Sequence, residues 1–144
     1  MLKLFWEQSS LGKRVYREGM QPVCETYQLT RMELDVLLFL ANNPQYDTAT
    51  DMVEVRCFTK SHVSTAVKAL EERGYLVKHF EDGNRKTVHL KVTDAAEEAV
   101  TDGRAVQRKF FEVISAGITK EEILQQMSLM EKVNSNLRRA LKED

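Results

Sequence analysis

The sequence predicts a mainly α-helical chain that carries one small β-hairpin. Three observations lead there. Apolar residues recur at helical spacing through most of the 144 residues. Two helix-opening signatures, Thr30-Arg31-Met32-Glu33 and Thr119-Lys120-Glu121-Glu122, stand at gaps in that rhythm. Between residues 75 and 92 the period falls from 3.6 to 2, around the Asp82-Gly83 of a tight turn.

Taken in order, Leu4, Gln8, Leu11 and Val15 form the stripe of a first amphipathic helix over residues 1–18, which Gly19 and Pro22 are expected to end. Thr30 and Glu33 open a second helix whose face is Leu34, Leu37, Leu38 and Ala41, closed by Asn42-Asn43-Pro44. A short helix over 48–56 turns Met52 and Val53 inward. Thr59 caps a fourth helix running to Arg73, with Val63, Ala66, Val67 and Leu70 spaced i, i+3, i+4, i+7. Gly74 suits its left-handed C-cap. Residues 75–80 and 86–92 are the strands, and Val88, Leu90 and Val92 share one face. A helix over 94–115 follows, apolar at Ala96, Ala99, Val100, Gly103, Val106 and Phe110. The last helix, 120–142, turns Ile123, Leu124, Met127, Met130, Leu137 and Leu141 to one side.

Composition bounds the function. With 42% hydrophobic and 30% charged residues, the chain buries a real core. No apolar run reaches the ~20 residues of a membrane span. The N-terminus shows no long apolar stretch or cleavage site, so a cytoplasmic location and no membrane partner are expected. The net charge of −1 conceals a split. Residues 1–53 carry −2, residues 54–92 carry +3 and residues 93–144 carry −2. Exposed charges are screened beyond about 8 Å, so this central basic island matters more than the total.

The island coincides with a helix, short turn, helix and hairpin, the order of a winged helix-turn-helix. Its second helix is sized for a major groove about 12 Å wide, and its hairpin reaches the adjacent minor groove. Lys60, Ser61, His62, Ser64, Thr65 and Lys68 do not face the core of that helix. The short hydroxyls permit close approach, His62 donates or accepts, and Lys68 suits a phosphate. In the wing, Arg85 is placed for a narrow minor groove and Lys86 for the backbone. Double-stranded DNA is the expected partner. The competing readings are a solvated polar surface, or a winged-helix protein–protein adaptor that binds no DNA.

Leu70-Glu71-Glu72-Arg73-Gly74-Tyr75-Leu76-Val77, Asp82-Gly83-Asn84-Arg85-Lys86 and Val88-His89-Leu90-Lys91-Val92-Thr93 resemble the signature of MarR-type transcriptional regulators. Leu29-Thr30, Glu33, Val36-Leu37 and Leu40 are similar to that family's second helix. The resemblance implies one MarR-like domain over 1–144. Within it lie a DNA-binding unit at 30–93 and a helical dimerisation region at 1–29 and 94–144. It implies a homodimeric repressor on a pseudo-palindromic operator, relieved by a small lipophilic or phenolic ligand or by an oxidant. Three positions depart from the pattern. Asn84 replaces the aspartate that often pairs with the wing arginine, leaving Arg85 free or held by Asp82. Cys57 stands where glycine is frequent, which predicts backbone strain or a different turn. Lys86 replaces a second arginine.

Dimerisation also follows from the apolar surface of the terminal helices, at Leu4, Leu11, Val15, Ile123, Met127, Met130, Leu137 and Leu141. The competing arrangement packs them within one subunit. Cys24, placed between the first two helices near Tyr16, Arg17 and Tyr27, and Cys57 are candidate redox sensors. Inert packing is the competing reading for both. Tyr16, Met20, Phe39 and Phe110 are candidate lining residues of a ligand cavity where the dimer helices meet the winged unit, and core packing, the commoner role of a Met and aromatic stripe, is the competing reading. His62, His79, His89 and the cysteines show no ligand-pair spacing, so no metal or cofactor is expected. Glu71-Glu72, Glu97-Glu98 and Glu121-Glu122 diverge by about 100° on a helix, so they read as solvated faces or caps, and neither an acid–base dyad nor enzymatic activity is expected.

Overall fold

In the computed structural model the described residues, 1–142, form six α-helices and one antiparallel hairpin. The order is α1 (Leu2–Tyr27), α2 (Arg31–Asn42), α3 (Ala49–Arg56), α4 (Lys60–Glu72), β1 (Leu76–Glu81), β2 (Asn84–Val92), a single 3₁₀ turn (Asp94–Ala96), α5 (Glu97–Ile114) and α6 (Lys120–Lys142). Residues 143 and 144, the end of the expected 94–144 region, lie outside the described residues. The chain forms two compact units, Met1–Phe110 and Phe111 onward.

Local hydrogen bonds account for the helix starts. In α2, Thr30 accepts from the Glu33 N–H and Glu33 reaches back to the Thr30 N–H. Thr48 and Asp51 close the same box on α3, and Thr119 and Glu122 close it on α6. Each such cap contributes about 1 kcal/mol.

The core of the first unit is built on α2 and α4. Leu34, Val36, Leu37 and Leu38 from α2 meet Val63, Ala66, Val67 and Leu70 from α4, with Met52, Leu76, Leu90, Ala96, Ala99 and Val100 closing the cluster. Gly103 lets α5 approach α2. A Cβ there would lie 2.8 and 2.9 Å from the two terminal methyl carbons of Leu38.

The first helix corrects the sequence reading. It does not stop at Gly19 or Pro22 but continues to Tyr27, with Pro22 inside it. Proline costs a helix interior about 3 kcal/mol. Burial of Met20 and Val23, with side chains worth about 1.5–3 kcal/mol each, offsets that. Gly19 is not a stop signal but a place of close packing, since a Cβ would sit 2.9 Å from Val106 Cγ1. Cys24 therefore lies within α1, buried, and not between helices.

Two arginines tie helix ends to distant elements. Arg73 donates to the carbonyls of Gln28 (2.8 Å) and Tyr27 (2.7 Å) at the C-terminus of α1. Arg104 donates to the Ala41 carbonyl (2.7 Å) at the end of α2. A cation there satisfies orphan carbonyls and complements the helix dipole.

Cys57 realises the strain expected of it, with φ 60° and ψ 33° at the C-cap of α3. A side chain in that left-handed region costs about 1–2 kcal/mol. Cys57→Gly should therefore stabilise the chain by about 0.5–1 kcal/mol, after about 0.4–1 kcal/mol is returned to the unfolded glycine. A higher urea midpoint at unchanged slope checks this.

The second unit contains the end of α5, a turn through Gly117 at φ 76°, and α6. Leu124, Met127, Met130, Leu137 and Leu141 on α6 are more than half exposed, and Ile123 is half-buried. In the first unit, Leu4 and Leu11 are also more than half exposed and Val15 is 42% exposed.

Candidate nucleic-acid interface

The buried row Val63, Ala66, Val67 and Leu70 fixes which side of α4 meets solvent. At about 100° per residue, Ser61, Thr65 and Lys68 lie opposite it. Lys60, Ser61, His62, Ser64, Thr65 and Lys68 are all exposed. They divide into two groups. Ser64 and Lys68 line a groove of about 330 Å3 with Ala49, Val67, Glu71, Lys78, Val88 and Leu90, between α4 and the hairpin. The Thr65 hydroxyl donates to the Ser61 carbonyl (3.0 Å), so toward a ligand it offers a lone pair.

The start of α4 differs from those of α2, α3 and α6. Thr59 occupies the N-cap position, but its side chain makes no cap hydrogen bond, and the first turn holds no acidic residue. The expected Thr59 side-chain cap is thus corrected. Uncapped N–H groups at a positive helix end, beside Lys60, suit an anionic oxygen.

The wing is joined in the register Leu76↔Val92, Val77↔Lys91, Lys78↔Leu90 and His79↔His89, with Glu81↔Asn84 flanking the Asp82-Gly83 turn. Gly83 takes φ 77°, as a two-residue hairpin loop requires. Asn84 and Arg85 belong to β2 and not to the turn. The ladder is irregular between His79 and Glu81. There the Asn84 Oδ1 accepts from the backbone N–H of Lys86 (3.0 Å) and of Thr87 (3.3 Å). Asn84 thus stabilises the backbone that presents Arg85 and Lys86. Asp82 does not hold Arg85. Among the described residues no carboxylate is ion-paired with Arg85, Lys86, Lys60 or Lys68.

The basic island is smaller in space than in sequence. Arg73 is committed to α1, and Lys78 is paired with Glu71 at 3.0 Å. Arg56 lies over the Phe58 ring, 5.1 Å from its centroid. Among the described residues, the island's lysines and arginines without an ion pair or a committed partner are Lys60 and Lys68 on α4, Arg85 and Lys86 at the wing tip, and Lys91 farther along β2.

Sequence reasoning missed the anchor of the wing. His89 Nδ1 lies 2.7 Å from Asp47 Oδ1, and the Leu90 N–H donates to the Asp47 carbonyl at 2.8 Å. The hydrogen bond that Asp47 accepts from the His89 ring raises the His89 pKa above its ordinary value, against partial desolvation. Alternation in β2 put His89 on the face away from Leu90, and no local signal named its partner.

Cys24 is buried, and burial pushes its thiol pKa up, with nearby Arg31 opposing. That disfavours the thiolate needed for oxidant chemistry. Cys57 is exposed. A second recess, of about 230 Å3, is lined by Tyr16, Asp35, Leu38, Phe39, Asn42, Asn43, Val55, Arg56 and Gln107. It takes in Tyr16 and Phe39 from the candidate cavity residues. Met20 is instead fully buried in the core, and Phe110 packs edge-on against Tyr16, with centroids 5.2 Å apart.

Residues 27–86 match the model of the MarR family. No curated protein matches the chain in sequence. Among solved structures, the chain is similar to a MarR family transcriptional regulator of Listeria monocytogenes complexed with a 26mer DNA. The identity is 17%, with 92% of this chain and 87% of that one covered and a TM-score of 0.77. Staphylococcus aureus MepR in its DNA complex is 16% identical, with 95% and 96% covered and a TM-score of 0.75. Staphylococcus aureus MarR, in complex with salicylate and kanamycin, is 17% identical, with 96% and 94% covered and a TM-score of 0.68.

Proposed function

We propose that this protein is a sequence-specific, double-stranded DNA-binding transcriptional regulator of the MarR type that acts as a homodimeric repressor; the match of residues 27–86 to the MarR family model and the similarity in fold to DNA-bound regulators support this reading. The observation that carries the reading is the combination of an uncapped, exposed α4 with unpaired Arg85 and Lys86 on the adjoining wing. Residues 30–93 are the DNA-binding unit in this proposal. Ser61, His62, Thr65 and Lys68 face the major groove, Lys60 and the first turn of α4 take a phosphate, and Ser64 borders the groove beside the wing. Arg85 enters the minor groove and Lys86 holds the backbone.

Regions 1–29 and 94–144 supply the dimer contacts. Leu4, Leu11 and Val15 on α1, and Ile123, Met127, Met130, Leu137 and Leu141 on α6, are apolar side chains that a second copy would cover. A twofold pair presents two α4 helices to a pseudo-palindromic operator about one duplex turn apart. The recess at Tyr16, Phe39 and Arg56 is the proposed place for a small phenolic or lipophilic ligand that relieves repression. Salicylate in the Staphylococcus aureus structure is an example of that chemistry. No helix among the described residues is long and apolar enough to cross a membrane. We place the protein in the cytoplasm and assign it no catalytic role.

Selection of bound fragments from the source genome supplies the operator. Arg85→Ala should then weaken operator binding by about tenfold to a hundredfold, corresponding to about 1.4–2.8 kcal/mol. Lys68→Ala should lower the salt dependence by about one phosphate contact. Both variants should keep the oligomeric state of the wild type. Equal binding by all three proteins across a salt series would overturn the proposal, and salt-insensitive association with a protein would favour the adaptor.

A further inference from the structure

Three segments bring metal-ligating side chains together at the base of the wing. Asp47 comes from the segment between α2 and α3, His79 from β1 and His89 from β2. One ligand atom from each lies within 4.8 Å of the others. The two histidines are paired across the hairpin, with ring centroids 5.3 Å apart and planes inclined by 29°. Asp47 Oδ1 holds His89 Nδ1 at 2.7 Å, while Asp47 Oδ2 stands 4.0 Å from His79 Nε2. His89 Nε2 faces Glu81 Oε1 at 3.7 Å. His89 is largely covered, whereas His79 and Glu81 are exposed and open to solvent.

We propose that Asp47, His79 and His89 form a binding site for a divalent transition-metal ion of the zinc type, with Glu81 facing the ring nitrogen of His89 that does not hold the ion. The donor set of two imidazoles and a carboxylate suits borderline cations such as Zn2+ and Co2+, and offers too few oxygens for Ca2+ or Mg2+. Around tetrahedral zinc, with bonds near 2.0–2.1 Å, neighbouring ligand atoms stand about 3.3 Å apart. The Asp47 Oδ1–His89 Nδ1 separation of 2.7 Å and the Asp47 Oδ2–His79 Nε2 separation of 4.0 Å bracket that value. Closing the remainder requires rotation of the exposed His79 side chain, while the backbone stays fixed by the hairpin register and the Leu90–Asp47 bond. Solvent completes the coordination shell. Histidine spacing along the chain conceals the site, because the two imidazoles meet across a hairpin and the carboxylate arrives from another segment.

The consequence is mechanical. A bound ion links both strands of the wing to Asp47, next to the Thr48 cap of α3, and so restricts the hairpin relative to the helices. Metal binding itself does not depend on the DNA reading.

The test uses the untagged full-length chain, titrated with Zn2+ against a chelating dye and with Co2+ while the visible absorption is followed. His62, Cys24 and Cys57 are controlled by the variant H62Q/C24S/C57S. The expected result is one ion per chain in the wild type and in that variant, with zinc-dependent shifts of the His79 and His89 ring protons in NMR. His79→Gln, at an exposed position, should weaken binding by at least about tenfold and leave the far-UV spectrum unchanged. Wild type and His79→Gln binding Zn2+ equally, or ring protons of both histidines that do not respond to Zn2+, would overturn the proposal.

Discussion

In the proposed homodimer, the double substitution Met130→Glu, Leu137→Glu is expected to turn the dimer into a monomer at micromolar concentration. Both side chains are more than half exposed on α6, at 55% and 58%. Spaced seven residues apart, they share one face of the helix with Ile123, Met127 and Leu141. Each apolar side chain that a partner buries contributes about 1.5–3 kcal/mol. Two facing copies would bury four such side chains, and the glutamates replace that gain with a desolvation cost and like-charge repulsion. Sedimentation equilibrium should report a dissociation constant raised by a hundredfold or more, where each 1.4 kcal/mol is about tenfold. Operator affinity should fall with it, since a monomer presents one α4 instead of two. A wild type that is monomeric at these concentrations, or a variant that stays dimeric, would remove the proposed role of α6.

Leu70→Ala should be strongly damaging to the winged unit itself. Leu70 is fully buried at the end of the α4 face, and its carbonyl accepts from the Tyr75 N–H at 2.9 Å where the chain leaves for β1. Truncation removes three carbons and leaves a cavity among helix and hairpin residues that cannot all collapse into it. Such changes cost about 2–5 kcal/mol, a large part of the 5–15 kcal/mol typical of a domain. Urea unfolding should show a midpoint lowered to match. A loss below about 1 kcal/mol would mean that α4 is less firmly seated than its burial indicates.

These two residues illustrate different degrees of legibility. Leu70 could be assigned to the core from its i, i+3, i+4, i+7 neighbours alone, because an amphipathic helix has one buried side. For Leu137, periodicity marks a shared face but does not say whether the covering surface is in the same chain or another. The exposed solvent face of α4 was legible for the same reason as its core. Its uncapped first turn was not, because Thr59 has the right residue type and only its conformation withholds the bond.

By itself the sequence determined what short-range physics controls. The boxes at Thr30–Glu33 and Thr119–Glu122 set helix starts through bonds spanning three residues, and Asp82-Gly83 set the hairpin through a turn that needs positive φ. Only the tertiary structure decided the features that depend on distant neighbours. Pro22 remains helical because Met20, Val23 and Cys24 are buried on either side of it, outweighing a local propensity that reads as a stop. Gly19 serves Val106, Arg73 serves carbonyls 45 and 46 residues away, and Asp47 meets His89 across 42 residues. Periodicity reports how a side chain is oriented on its own element. Which partner fills the space opposite is settled only when the elements pack.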